Sequence, residues 1–217
     1  MSIPGADQLA PGLQRWVVYH PEWKQDVGCL AYADGSELVL IDPMLPPEPE
    51  AAERFLAALD QGVHGRNAPL HVLVTVHWHE RHAPEIVERY TAAPGAELWA
   101  PALAVPRLSR TPEHAFTPAD RLPAGIVAFE TLRSDEVVLW LPRAKAVVAG
   151  DVLLGGKRKP LRVCPQSWLP GDVARKELAA SLRPLLELPV ELVVPAHGEP
   201  IRDNARTILE QALADAV

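Results

Sequence analysis

An α/β (α+β) fold, in which mixed sheets carry helices on their outer faces, is predicted by two observations. Each half of the 217-residue chain opens with short apolar strands and then runs into strand–helix units, an order that suits sheets covered by helices. Four of the apolar runs also end in Asp or His, and a common sheet edge lined with such residues is how α/β folds assemble sites.

The elements follow in order. Leu13 to Tyr19, Gly28 to Ala33 and Glu37 to Ile41 are short apolar segments, with Asp34-Gly35 as the hairpin turn between the last two. Glu48 to Gln61 reads as an amphipathic helix with Phe55, Leu56 and Leu59 on its inner face. Leu70 to Val76 (LHVLVTV) is β-branched enough for a buried strand. A helix over Ala83 to Tyr90 and a strand over Glu97 to Ala100 come next. Pro101 to Ala124 is Pro-rich and reads as irregular. Strands resume at Gly125 to Phe129, Glu136 to Leu141 and Ala144 to Ala149. Helix Val173 to Leu186, strand Leu192 to Val194 and a last helix over Asn204 to Ala214 complete a single expected domain, 1–217.

Composition narrows the function classes. Apolar content of 48% and charged content of 23% are ordinary for a protein with a full core. A net charge of −7 disfavours nucleic acid and anionic membrane surfaces as partners. Cys29 and Cys164 are far apart and in no metal-ligand spacing. The opening MSIPGADQLAPG has neither a basic n-region nor an apolar h-region, and no apolar run nears the roughly 20 residues of a spanning helix. A cytoplasmic protein is the expectation.

The chemistry gathers at the strand tips. His77-Trp78-His79-Glu80-Arg81-His82 places three imidazoles in six residues behind the Leu70 to Val76 run. If that segment stays extended, His77 and His79 point to the same side. A turn into the following helix would bring His82 back over them. Neutral imidazole is the commonest protein ligand for zinc. Asp42, Asp151 and His197 end the runs LVLI, AVVAG and ELVVPA, with Asp151 a candidate carboxylate ligand and His197 a further nitrogen. The other histidines, His20, His64, His71 and His114, have no spacing partner.

Taken together, Leu38-Val39-Leu40-Ile41-Asp42, His77-x-His79-x-x-His82, Gly150-Asp151-Val152-Leu153 and Pro195-Ala196-His197-Gly198 resemble the motifs of the metallo-β-lactamase superfamily over nearly the whole length. The resemblance implies an αββα four-layer sandwich. It also implies His77 and His79 with Asp151 as one metal pocket, and His82 and His197 with Asp151 as another. Two departures stand out. Arg81 takes the place of the family's usual Asp, and Phe129 to Glu136 lacks the usual third-motif histidine. A guanidinium is always charged and cannot ligate a metal, so one zinc ion is expected in preference to two. Glu130 and Glu136 are the candidates for a substitute ligand.

The expected activity is hydrolysis of an ester, thioester, lactone or amide in a small-molecule substrate by a single metal-activated water. Asp42 would orient a ligand histidine from behind. Arg81 would engage an anionic part of the substrate or restrain Asp151. The basic string Lys157-Arg158-Lys159 with Arg162 could receive an anionic group, and Trp78 and Trp168 could line the pocket. The competing reading is a metal-free member of the fold with a binding role, its vacated site filled by an Arg81–Asp151 pair. Neither the substrate nor the oligomeric state is readable.

Overall fold

Leu38 and Leu40 face one apolar layer while Val39 and Ile41 face another, which is how a strand behaves when both sides of its sheet are covered. The computed structural model describes residues 2–66, 68–92, 94–133, 135–156 and 160–216. Strands β1 (Asp7–Ala10), β2 (Leu13–His20), β3 (Gln25–Asp34), β4 (Glu37–Ile41), β5 (Leu70–Leu73), β6 (Ala96–Pro101) and β7 (His114–Phe116) lie side by side in chain order. The first four pair antiparallel and the rest parallel. A four-stranded sheet holds β8 (Val127–Glu130), β9 (Val137–Leu141), β10 (Ala146–Ala149) and β13 (Leu192–Pro195) in the order β13-β10-β9-β8. Strands β11 (Leu153–Gly155) and β12 (Leu161–Val163) form a separate antiparallel pair.

Three apolar clusters separate four layers. Tyr32, Ile41 and Leu73 meet Leu139, Val148 and Val194 between the two sheets. Helices α1 (Pro49–His64) and α2 (Ala83–Arg89) cover the large sheet with Phe55, Leu59, Ile86 and Val87. Helices α3 (Arg175–Ser181) and α4 (Ala205–Ala214) cover the small one with Leu178, Leu209 and Leu213. The αββα sandwich is therefore formed. Buried Phe55, Leu59 and Val63 recur every four residues along α1, the stripe of a helix with one inner face, and Pro49 stands at its start, where no N–H is needed. No helix among the described residues is long and apolar enough to cross a membrane.

Several elements differ from the expected ones. The segment over Val173 to Leu186 divides into α3 and a 3-10 stretch, Arg183–Glu187, because Pro184 cannot donate to the helical ladder and crowds the preceding turn. The Pro-rich middle holds β7, which pairs parallel with β6 through Trp99 and His114. Strand β5 stops at Leu73 instead of Val76. There the chain leaves the ladder: the Thr75 N–H donates to the Asp42 side chain at 2.8 Å, and the Thr75 carbonyl accepts from Val137 N–H across the sandwich at 3.0 Å. That departure sets the geometry of the histidines that follow.

Candidate metal centre

His77–His79 form a 3-10 turn, not an extended segment. With three residues per turn, His77 and His79 diverge instead of sharing a side. His79 turns inward and is fully buried; His77 stays partly exposed. The two therefore meet different partners.

Asp42, at the tip of β4, fixes His79. Its backbone is left-handed (φ 49°), a conformation Asp tolerates better than most residues. Oδ1 accepts the Thr75 N–H at 2.8 Å, and Oδ2 accepts the Thr75 hydroxyl at 2.6 Å and His79 Nδ1 at 2.9 Å. A carboxylate only accepts, so Nδ1 carries the proton and the Nε2 lone pair faces the opposite way. His197, after β13, is held alike: Nδ1 lies 3.1 Å from the Asp26 carbonyl and donates to it. Its Nε2 is 3.2 Å from Asp151 Oδ1, and His79 Nε2 is 3.5 Å from the same oxygen.

His79, Asp151 and His197 each offer one ligand atom, all within 4.8 Å of one another. His79 Nε2 and Asp151 Oδ1 are buried without a hydrogen-bond partner, which is costly unless something else satisfies them. Two imidazoles and one carboxylate oxygen suit zinc, and three protein ligands leave a fourth position open. The donor set fits the metal. Burial works to raise the Asp151 pKa, but contacts from His197 and His79 outweigh it and hold that carboxyl well below the usual range. Burial and the Arg81 charge work to lower the His79 pKa; Asp42 and Asp151 prevail and raise it.

The other Asp151 oxygen is committed. Oδ2 accepts the indole N–H of Trp78 at 2.8 Å. Glu136, itself buried, accepts the backbone N–H groups of Asp151 (2.5 Å) and Val152 (2.8 Å) on Oε1. Burial pushes the Glu136 carboxyl up to about 7 against the pull of nearby Arg133. Gly150 is the residue that lets Glu136 come so close, since a Cβ there would lie 2.7 Å from Oε1 and 3.0 Å from the Thr75 hydroxyl.

The remaining expected residues lie outside the cluster. His77 Nδ1 is bonded to Asp135 Oδ2, which also accepts from Arg107 Nη1 at 3.1 Å. His82 starts α2, and its Nδ1 accepts the Leu45 N–H at 3.3 Å instead of swinging back. The three donors thus take one histidine from each expected pocket. Glu130 is exposed on β8, and Glu136 holds backbone, not metal-facing, positions. The Arg81–Asp151 pair is not formed: Arg81 Nη1 donates to the Asp42 carbonyl at 2.9 Å. That bond arises because the strap from His79 to His82 packs over the tip of β4, with Arg81 left-handed (φ 44°). Lys157, Arg158 and Lys159 lie outside the described residues.

A cleft of about 390 Å³ opens above the donors, lined by Trp23, Gln25, Trp78, Arg133, Asp151, Trp168 and His197. Trp23 comes from the β2–β3 loop, stacked on His20 with ring centres 4.0 Å apart. Arg133 lies over the Trp78 ring, its guanidinium carbon 4.5 Å from the centroid. Sequence reading singled out neither residue. Trp23 stands alone in a polar loop, and Arg133 sits in the stretch scanned for a missing histidine.

The metallo-beta-lactamase superfamily model matches residues 63–197, well over half the chain. This chain belongs to the metallo-beta-lactamase superfamily. Solved structures of that superfamily share its fold at low identity. DIM-1 metallo-beta-lactamase is 13% identical with a TM-score of 0.70, the match covering 100% of both chains. A metallo-beta-lactamase from Pontibacter korlensis is 17% identical with a TM-score of 0.69, over 97% of this chain and 98% of that one. FIM-1 from Pseudomonas aeruginosa, in its mono-zinc form, is 14% identical with a TM-score of 0.65, over 97% and 95%. No curated protein matches the chain. Within the superfamily, this member combines Arg81 in the second motif with a third-motif stretch that carries Arg133 and Asp135.

Proposed function

We propose that this metallo-beta-lactamase superfamily member is a metal-dependent hydrolase that uses one metal, zinc by default, held by His79, Asp151 and His197. The reading rests on one observation: three ligand atoms within 4.8 Å, two of them buried and unpartnered. When bound, the metal would supply Lewis acidity toward a carbonyl oxygen and a lowered pKa for water.

The chain's own residues prepare the rest. Asp42 and the Asp26 carbonyl hold the Nδ1 protons of His79 and His197, so both Nε2 lone pairs are presented without rearrangement. Trp78 donates to Asp151 Oδ2, and one cluster of three donors, His79, Asp151 and His197, is what the described residues offer, which supports a single-metal centre. The cleft is of a size that holds a small molecule, and Trp23, Trp78 and Trp168 supply apolar walls. An ester, thioester, lactone or amide carbonyl bound there is the substrate this arrangement suits.

Metal content tests the reading. Purified without a polyhistidine tag, the protein is expected to hold about one zinc per chain, or to take it up on supplementation. His79→Ala and His197→Ala should each lose it, while His77→Ala keeps it. A chain that refuses zinc, iron and manganese, or variants that all retain metal alike, would sink the proposal.

A further inference from the structure

Glu130, which the sequence puts forward as a substitute metal ligand, lines a second cavity instead. That cavity, of about 360 Å³, lies on the flank of the sandwich. It is bounded by the ends of β6 and β7 on the large sheet and by the β8–β9 connection on the small one. Strand β7 pairs with β6 alone and β8 with β9 alone, so both sheets end at this opening. No lining residue is shared with the cleft above the metal donors.

The walls are apolar and reach from core to solvent. Phe116 and Val137 are buried in the layer between the sheets, while Leu103 and Leu132 are 65% and 39% exposed. With Val127 at the start of β8, three of the six large hydrophobic side chains that the described residues expose belong to this flank. Single exposed apolar residues are ordinary, but a set gathered around a concave site marks a place where something binds. A cavity of this volume is of a size that holds a small molecule.

Charge selects the kind of molecule. Both charged residues that line the cavity are acids, Glu130 and Glu136, and no Lys, Arg or His lines it among the described residues. Glu136 is committed: Oε1 accepts the Asp151 and Val152 N–H groups, and Oε2 lies 3.1 Å from Arg133 Nη1. Glu130 has no hydrogen bond or ion pair with a described residue. Its carboxylate is therefore the charge left without compensation. An apolar body gains from the walls whatever group it carries. An anionic group would be repelled by Glu130, whereas an ammonium would bring an opposite charge and three N–H donors to a carboxylate that only accepts.

We infer that this flank cavity is a binding site for small apolar amines, with the body of the ligand against Phe116, Leu103 and Leu132 and its ammonium group on Glu130. The site requires neither a metal nor the hydrolase reading.

Calorimetric titration, with a chelator present, tests it with three ligands that share one apolar body: 1-naphthylmethylamine, 1-naphthylmethanol and 1-naphthylacetate. An exposed ion pair is worth up to about fivefold in affinity, and a like-charge contact costs a similar factor. The amine is therefore expected to bind about 10-fold more tightly than the acid, with the alcohol between. Glu130→Gln should bring the three affinities together, and Glu130→Lys should reverse their order; position 130 is exposed, so both variants keep the fold. Leu103→Ser and Leu132→Ser should weaken all three ligands alike, and the methyl resonances of Leu103 and Leu132 should shift when the amine is added to the parent protein. No binding of the amine, equal affinities in the parent protein, or a preference that survives in Glu130→Lys would overturn the inference. So would shifts confined to the indole N–H resonances of Trp23, Trp78 and Trp168, which would place the amine in the cleft above the metal donors.

Discussion

The indole N–H of Trp78 is bonded to Asp151 Oδ2 at 2.8 Å, so the Asp151 carboxylate keeps one oxygen, Oδ1, without a hydrogen bond, and that oxygen lies 3.2 Å from His197 Nε2. In the proposed metal centre Trp78 would act through Asp151 without offering a ligand of its own. Phe at position 78 would keep the stacking on Arg133 and remove the N–H. Loss of such an outer partner typically costs 10- to 100-fold in metal affinity. Trp78→Phe is therefore expected to bind zinc about 10-fold or more weakly in a chelator competition, with an unchanged circular dichroism spectrum. Affinity within twofold of the parent would show that the bond does not orient Asp151.

Gly150 makes a steric prediction. A methyl group there meets Glu136 Oε1 at 2.7 Å and Thr75 Oγ1 at 3.0 Å, and neither is free to move, since each already serves a bond to a site residue. Forcing a methyl into packed surroundings costs about 1–3 kcal/mol. For a chain of this size each kcal/mol lowers Tm by about 2–4 °C. Gly150→Ala should melt several degrees lower and bind zinc less tightly, since Glu136 carries the Asp151 backbone. An unchanged melting temperature would mean that Glu136 relaxes at no cost.

How much of this was legible in the sequence depends on the range of the forces involved. The tips of β4, β10 and β13 were readable because an apolar run followed by Asp or His is a local signal. The αββα layering followed from a resemblance spread over nearly the whole chain. Strands β1, β7, β11 and β12 were not read, since these short segments carry neither a distinct period nor a long apolar run that ends in Asp or His, and pairing with a neighbour decides them. The turn at His77–His79 was hidden for a similar reason. It exists because Thr75 is captured by Asp42, 33 residues earlier, and that capture changes which histidines can converge. Arg133 reaches the cleft only through contacts with Trp78 and Glu136 that no spacing rule encodes.

His71 predicts a pH dependence of stability. It is buried on β5, where Nδ1 accepts the Trp99 indole N–H at 3.2 Å and Glu97 and Glu37 lie 3.4 and 3.8 Å from its ring nitrogens. Burial lowers its pKa below the ordinary 6.5, and the two carboxylates offset only part of that. The unfolded chain therefore takes up a proton first as pH falls. The His71 contribution is complete above pH 6.5 and is lost progressively as pH drops from 6.5 toward the folded-state value. Urea midpoints at pH 7.5, 6.5 and 5.5 should fall less steeply in His71→Gln than in the parent protein. Parallel curves would refute the assignment.

Asp42→Asn separates charge from shape at the centre of the site. The amide is nearly isosteric, but one of its two positions must now donate. If nitrogen replaces Oδ2, it donates to His79 Nδ1, which then surrenders its proton. The proton moves to Nε2 and points at Asp151 Oδ1, so Nε2 no longer has a lone pair to offer the proposed metal. If nitrogen replaces Oδ1 instead, it faces the Thr75 N–H, donor against donor. Both placements damage the ligand set without opening a cavity. Zinc affinity is expected to fall by about 10- to 100-fold, and ¹⁵N chemical shifts of the metal-free variant should report His79 protonated at Nε2. Parent-like affinity together with a proton still on Nδ1 would show that Asp42 does not choose the His79 tautomer.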